Sequence, residues 1–154
     1  MGEPFIRIVE GPIDVASVVG AVSGPQAGAV AVFVGTVRER TDGRRVLWLE
    51  YEAFEPMAFK EMREIALRLD REHGPCTVAI EHRVGRLEIG EVSVAIAVAS
   101  PHRRAALSAC SEAIERLKKT VPIWKREYFE GGSVWVEGDP SFPASPGPTD
   151  GRTT

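Results

Sequence analysis

Two periodicities alternate along the chain. Residues 5–9, FIRIV, alternate apolar and polar and stop at Glu10-Gly11-Pro12, which predicts a short strand. Asp14 then caps a brief helix through Val22, ended by Gly24-Pro25. Residues 29–37, AVAVFVGTV, are β-branched and apolar on both faces. Such a run predicts a central strand of a sheet covered on both sides. After Arg38 the polar loop ERTDGRR carries an Asp-Gly turn signal. Residues 46–52, VLWLEYE, return as a strand, paired antiparallel with the one before.

From Pro56 to His73 the period changes. Ala58, Met62, Ile65, Ala66 and Leu69 recur at three- and four-residue steps and make one buried stripe of a helix. Pro56 suits its first turn, and Gly74-Pro75 stops it. Strands follow at 77–83 (TVAIEHR) and 92–100 (VSVAIAVAS), linked by VGRLEIG. Ser100-Pro101 reads as a hydroxyl N-cap and a first-turn proline for a second long helix. Ala106, Cys110, Ala113 and Leu117 form its buried face, and Pro122 ends it. REYF (126–129) and SVWVE (133–137) read as a hairpin joined at Gly131-Gly132.

Strands in antiparallel pairs with two longer helices predict an α+β sandwich: a mainly antiparallel sheet packed with helices in a single domain. That domain covers residues 1–137. Residues 138–154 are rich in Pro, Gly and Ser without periodicity and are expected to be a disordered tail.

Composition narrows the function classes. A net charge of -3 argues against a general nucleic-acid binder. No window approaches the ~18 to 20 apolar residues of a membrane span, and the first residues lack a signal-peptide layout. A cytoplasmic protein is expected. Cys76 and Cys110 have no metal-ligand spacing and read as small core residues. The usual nucleotide, nucleophile-elbow and zinc-protease signatures are absent.

Local charge is more telling. Arg38, Arg40, Arg44 and Arg45 form one basic cluster. His102, Arg103, Arg104, Lys118, Lys119, Lys125 and Arg126 form another, and converging cations suit a small anion. Three of the chain's four lysines fall within eight residues around Pro122. A turn there could direct Lys118 and Lys125 into one pocket beside Trp124. An amine so placed can serve as acid or base, or, while protonated, stabilise developing negative charge. The structural alternative is that Lys118 and Lys119 complement a helix dipole, worth a few tenths to ~1 kcal/mol each. At the other end of that helix, His102 and Arg103 stand where free backbone N–H groups favour a phosphate or carboxylate. They could equally be solvated. For His73 and His82 a structural role is expected.

FVGTVR at 33–38, HRVG at 82–85, SPHR at 100–103 and KKTVPIWKRE at 118–127, in that order, resemble the family of the large, catalytic subunit of molybdopterin synthase. The resemblance spans roughly residues 5–137. It implies a single-domain, hammerhead-like α/β sandwich and a cytoplasmic sulfurtransferase of molybdenum cofactor biosynthesis. Sulfur would pass from the thiocarboxylated Gly-Gly C-terminus of a small ubiquitin-like partner to cyclic pyranopterin monophosphate, making the molybdopterin dithiolene. Lys118 and Lys125 would be the active-site lysines. Arg126 and Glu127 would lie beside them, Arg38, His102 and Arg103 on the substrate phosphate, and Thr36 and Val37 in the adjoining substrate-binding segment. The resemblance implies no metal and no organic cofactor. Two departures stand out: Thr36 where members often carry lysine, and Asp139 where some carry arginine.

One inference rests on length alone. Sixteen helical steps separate His102 from Lys118, about 24 Å. Both ends of one straight helix cannot close on one small substrate. A shared site therefore predicts a homodimer, with His102 and Arg103 supplied by the other protomer, and a heterotetramer once two small subunits are added. Two other readings remain open: a non-catalytic module docking a Gly-Gly tail, and a phospho-ligand enzyme unrelated to sulfur.

Overall fold

The computed structural model describes residues 1–136, so the expected tail and Asp139 lie outside the described residues. The first sheet contains β1 (Phe5–Val9), β5 (Thr77–Arg83), β7 (Val92–Ser100) and β2 (Ala29–Thr36), in that spatial order. β7 shows how sequence sets its layers. Val94, Ile96 and Val98 face one side and enter the larger core, with Ala58, Met62, Ile65 and Leu69 of α2 (Glu55–His73) and Ala109, Ala113 and Leu117 of α3 (Arg103–Thr120). Ala95, Ala97 and Ala99 face the other, where their small side chains admit Val18 and Val22 of α1 (Val15–Val22). Burying a Met or Leu side chain stabilises by ~1.5–3 kcal/mol, so these contacts outweigh any cap or dipole term.

The second sheet runs β3 (Arg40–Thr41), β4 (Arg44–Ala53), β8 (Ile123–Phe129) and β9 (Gly132–Val136). The short β6 (Gly85–Glu88) pairs with Trp48 to Tyr51 in the middle of β4. The α+β class, the long helices and the terminal hairpin agree with expectation.

Three expectations are corrected. β2 is an edge strand, not a central one, and pairs with β7 rather than β4. Its second face is open: Val30, Val32 and Val34 are 37%, 43% and 39% exposed. α1 packs mainly on β5 and β7 and reaches β2 little. Among the described strands β1 runs parallel to β5 and the other pairs are antiparallel, in keeping with a mainly antiparallel sheet. The linker VGRLEIG contains β6. Finally, α3 starts later than Ser100-Pro101 suggests. Ser100 ends β7, with its buried hydroxyl donating to the Pro75 carbonyl at 3.0 Å, so it cannot cap. His102 is the N-cap, with no side-chain cap bond, and Arg103 is the first helical residue.

Gly28 explains why the chain tolerates this junction. Its N–H donates to Ser100 O at 3.0 Å, and a Cβ there would stand 2.2 Å from the Pro101 carbonyl oxygen. Between the two long helices, Glu112 of α3 bonds His73 of α2, and Arg116 bridges Glu72 and Glu112. The His73 hydrogen bond, foremost, holds the Glu112 carboxyl below its ordinary range.

Candidate active site

Where the two sheets part, a cavity of about 720 Å³ opens, lined from the end of β2, the last turns of α3, and β4, β5 and β8. Each element contributes by its own period. Along α3 and its C-cap, Ile114, Leu117, Lys118 and Val121 recur at helical spacing, and the apolar members enter the core while Lys118 stays exposed at the cavity. Along β8 the period is two: Ile123, Lys125 and Glu127 line the cavity. The alternate residues take the other face, where Arg126 donates to Ser133 Oγ at 3.0 Å and lies over the rings of Tyr128 and Trp135. Tyr128 in turn stacks on Trp48, 4.8 Å between centroids.

The charge balance inside is specific. Lys125 Nζ pairs with Glu127 Oε1 at 3.1 Å, and the two side chains are 28% and 3% exposed. Glu127 Oε2 is buried with no hydrogen-bond partner among the described residues. Lys118 and Arg38, by contrast, have no ion pair or hydrogen bond within the described chain and sit exposed at the cavity lining. The dipole explanation for Lys118 is weak energetically. A helix that already buries Ala106, Ala109, Cys110, Ala113, Ile114 and Leu117 gains little from ~0.3–1 kcal/mol at its end.

Among the residues expected from sequence, Thr36, Val37, Arg38, Lys118, Lys125 and Glu127 line this one cavity. Val37 anchors it through backbone: its N–H donates to Glu91 O at 3.0 Å, and its carbonyl accepts from Gly90 N at 2.7 Å. Arg126 does not join, because strand alternation turns it to the opposite face. His102 and Arg103 do not line it either; they stand at the far end of α3.

Two lining residues were missed. His82 is 4% exposed, and its Nδ1 lies 2.8 Å from the Arg83 carbonyl oxygen. Burial pushes its pKa down to about 4, against a smaller opposite effect of that hydrogen bond, so the ring is neutral. Tyr51 meets it edge-on, 5.0 Å between centroids at 78°. Alternation along VLWLEYE puts Tyr51 on the Leu49 face, which was the available signal.

A cavity lined by three lysines, Lys118, Lys119 and Lys125, with Arg38 and the buried Glu127 carboxylate, suits an anionic substrate whose reaction develops further charge. Comparison with known proteins is decisive about kinship. The model of the family described as MoaE protein matches residues 8–120. The chain belongs to the MoaE family. Relatives in that family include the molybdopterin synthase catalytic subunit of Bacillus subtilis, 46% identical over 130 residues, covering 84% of this chain and 83% of that protein. The Halalkalibacterium halodurans protein of the same name is 48% identical over 129 residues, covering 84% and 83%. Among solved structures, molybdopterin synthase from Staphylococcus aureus superposes with a TM-score of 0.82 at 43% identity, covering 84% of this chain and 95% of that one. The MoaE-family match thus takes in every element lining the cavity up to Thr120, and the relatives' similarity extends over most of the chain.

Proposed function

We propose that this chain is the catalytic subunit of a molybdopterin synthase, a sulfurtransferase of molybdenum cofactor biosynthesis. The observation that carries the reading is the convergence of Lys118, Lys125, Arg38 and Glu127 on one cavity in a chain of the MoaE family. In this reading a small ubiquitin-like partner presents its C-terminal Gly-Gly thiocarboxylate at the cavity. Cyclic pyranopterin monophosphate accepts the sulfur. Both reactants are anionic, which fits the partnerless cations Lys118 and Arg38. Lys125, tied to Glu127, is positioned for proton transfer or for stabilising the intermediate in which the transferred sulfur is still held. No metal or organic cofactor is invoked for this step. No described helix is long and apolar enough to cross a membrane, which is compatible with cytoplasmic action.

The phosphate contacts from His102 and Arg103 belong to a second copy in this reading. β2 supports that arrangement. It ends its sheet, leaving a backbone edge of the kind that recruits another strand, and its exposed valines carry an apolar sheet face up to that edge. Antiparallel pairing of two β2 edges about a two-fold axis between Val32 and Phe33 sets Ala29 of one copy opposite Thr36 of the other. Ala29 is in register with Ser100 in its own sheet, two residues before His102. One copy's α3 N-terminus therefore approaches the other's Thr36–Arg38 segment. Two small subunits on such a dimer make a heterotetramer.

The test is reconstitution: this protein, the thiocarboxylated partner and cyclic pyranopterin monophosphate, with molybdopterin as the readout. Turnover lost in Lys118→Ala while partner binding persists supports catalysis. Partner binding by the unaltered chain without any turnover would favour a docking module. Absence of both binding and turnover would overturn the assignment.

A further inference from the structure

His82 lies outside the set of lysines, arginines and carboxylate that the proposed chemistry uses, yet it is built into the same cavity. A carbonyl oxygen only accepts hydrogen bonds, so the 2.8 Å contact to Arg83 O fixes the proton on Nδ1. Nε2 is then left with a lone pair. It has no hydrogen-bond partner among the described residues. Arg83 cannot swing away to release the ring's backbone anchor. Its guanidinium bonds Glu91 at 2.6 Å and the Glu10 carbonyl at 3.2 Å, and its backbone lies at the end of β5. On the other side the Tyr51 ring limits rotation. Nε2 is not among the side-chain atoms sealed from solvent, so its lone pair stays open to a donor in the cavity that His82 lines.

A second acceptor without a protein partner accompanies it. Glu127 Oε2 is buried without a partner and lines the same cavity. The protein's available cations, Arg38 and Lys118, are exposed at the lining. The cavity therefore offers hydrogen-bond acceptors in its depth and positive charge at its solvent side. Its complement is a ligand with N–H donors on a flat, buried ring and an anionic group on the outside.

We propose that His82 Nε2 accepts a hydrogen bond from an N–H donor of the substrate's nitrogen heterocycle and fixes that ring in the cavity, with its phosphate turned towards Arg38. This rests on the reading above that the cavity takes a phosphorylated pterin, and it assigns His82 to recognition rather than to sulfur transfer. Neutral imidazole is required for the role, and the low-polarity setting supplies it.

Two substitutions separate the ring's two nitrogens. In His82→Asn the amide N–H can replace Nδ1 towards Arg83 O, but nothing reaches the position of Nε2. His82→Gln places an amide oxygen near Nε2 and gives up the Arg83 bond. Binding of cyclic pyranopterin monophosphate and of a phosphate-free reduced pterin is measured by titration calorimetry on the folded protein with its partner subunit. His82→Asn is expected to weaken both ligands about tenfold, while His82→Gln keeps most of the affinity. Arg38→Ala should weaken only the phosphorylated ligand. If His82→Asn binds both ligands as the unaltered protein does, or if Asn and Gln weaken binding equally, the proposal is wrong. Failure of the unaltered protein to bind either pterin would instead overturn the functional reading beneath it.

Discussion

Replacing Lys125 by Met would leave the Glu127 carboxylate buried with neither of its oxygens paired. In the intact protein Oε1 has the ammonium at 3.1 Å and Oε2 has nothing among the described residues, so a single contact compensates the whole desolvated charge. Removing one partner of a fully buried pair costs about 3–5 kcal/mol. Lys125 is 28% exposed, so water screens part of the interaction, and about 2–3 kcal/mol is the appropriate expectation. At roughly 3 °C per kcal/mol for a chain of this size, Lys125→Met should melt roughly 6–9 °C lower. Adding Glu127→Gln removes the stranded charge, and the double variant should regain most of the loss while remaining inactive. Thermal melts of the four proteins at pH 7, with turnover measured well below the lowest midpoint, distinguish folding from chemistry. A Lys125→Met protein melting within 2 °C of its parent, or a double variant no more stable than the single, would refute the idea that this pair is structurally coupled.

Four further outcomes follow from the geometry. Lys118 is exposed, so Lys118→Ala should lower kcat by about 10²–10³ with the melting midpoint nearly unchanged, checked by single-turnover kinetics and calorimetry. Mixing Lys118→Ala and Arg103→Ala chains should restore about a quarter of full activity, because half of randomly formed dimers carry one intact site of two; no recovery in verified mixed dimers counts against the shared site. Val32→Lys places a charge on the β2 edge and should shift the protein to monomers in sedimentation, with loss of turnover. Acid should destabilise the fold through His82. Its folded pKa of about 4 lies below the ordinary 6.5, so the unfolded state binds the extra proton. The contribution is complete above pH 6.5 and is lost as pH falls towards 4, about 3 kcal/mol in all. The fall should be shallower in His82→Gln when denaturant midpoints are compared between pH 4.5 and 7.

The long periodic segments were legible because each repeats one simple contact. The α2 stripe of Ala58, Met62, Ile65, Ala66 and Leu69 is buried as its spacing requires. The cationic cluster around Pro122 also proved spatial, with Lys118 and Lys125 on one cavity. Neighbour choice was not legible. An apolar run such as AVAVFVGT states that a strand wants cover, but nothing in it says whether β4, β7 or another chain provides it. Ser100 misled for a related reason. Its hydroxyl is as well suited to bond Pro75 O as to cap a helix, and only the tertiary placement of the α2–β5 turn decides between them. Tyr51 and His82 escaped because a partly apolar ring in a strand is ordinary core material until the cavity beside it is known.

The alternation along β8 has a consequence for how this segment can vary. Lys125 and Glu127 face the cavity while Arg126 and Tyr128 build the aromatic face, so both functions are written in one strand as interleaved letters. Substitutions alter one letter at a time. A single-residue insertion or deletion between Trp124 and Arg126 would instead exchange downstream faces unless a bulge absorbed it, an insertion presenting arginine and a deletion tyrosine where the carboxylate belongs. A deep mutational library of this protein should therefore tolerate scattered replacements in β8 far better than length changes, whereas at the β3–β4 turn the positive φ of Asp42 and Gly43 should make replacement of Gly43 the costly change.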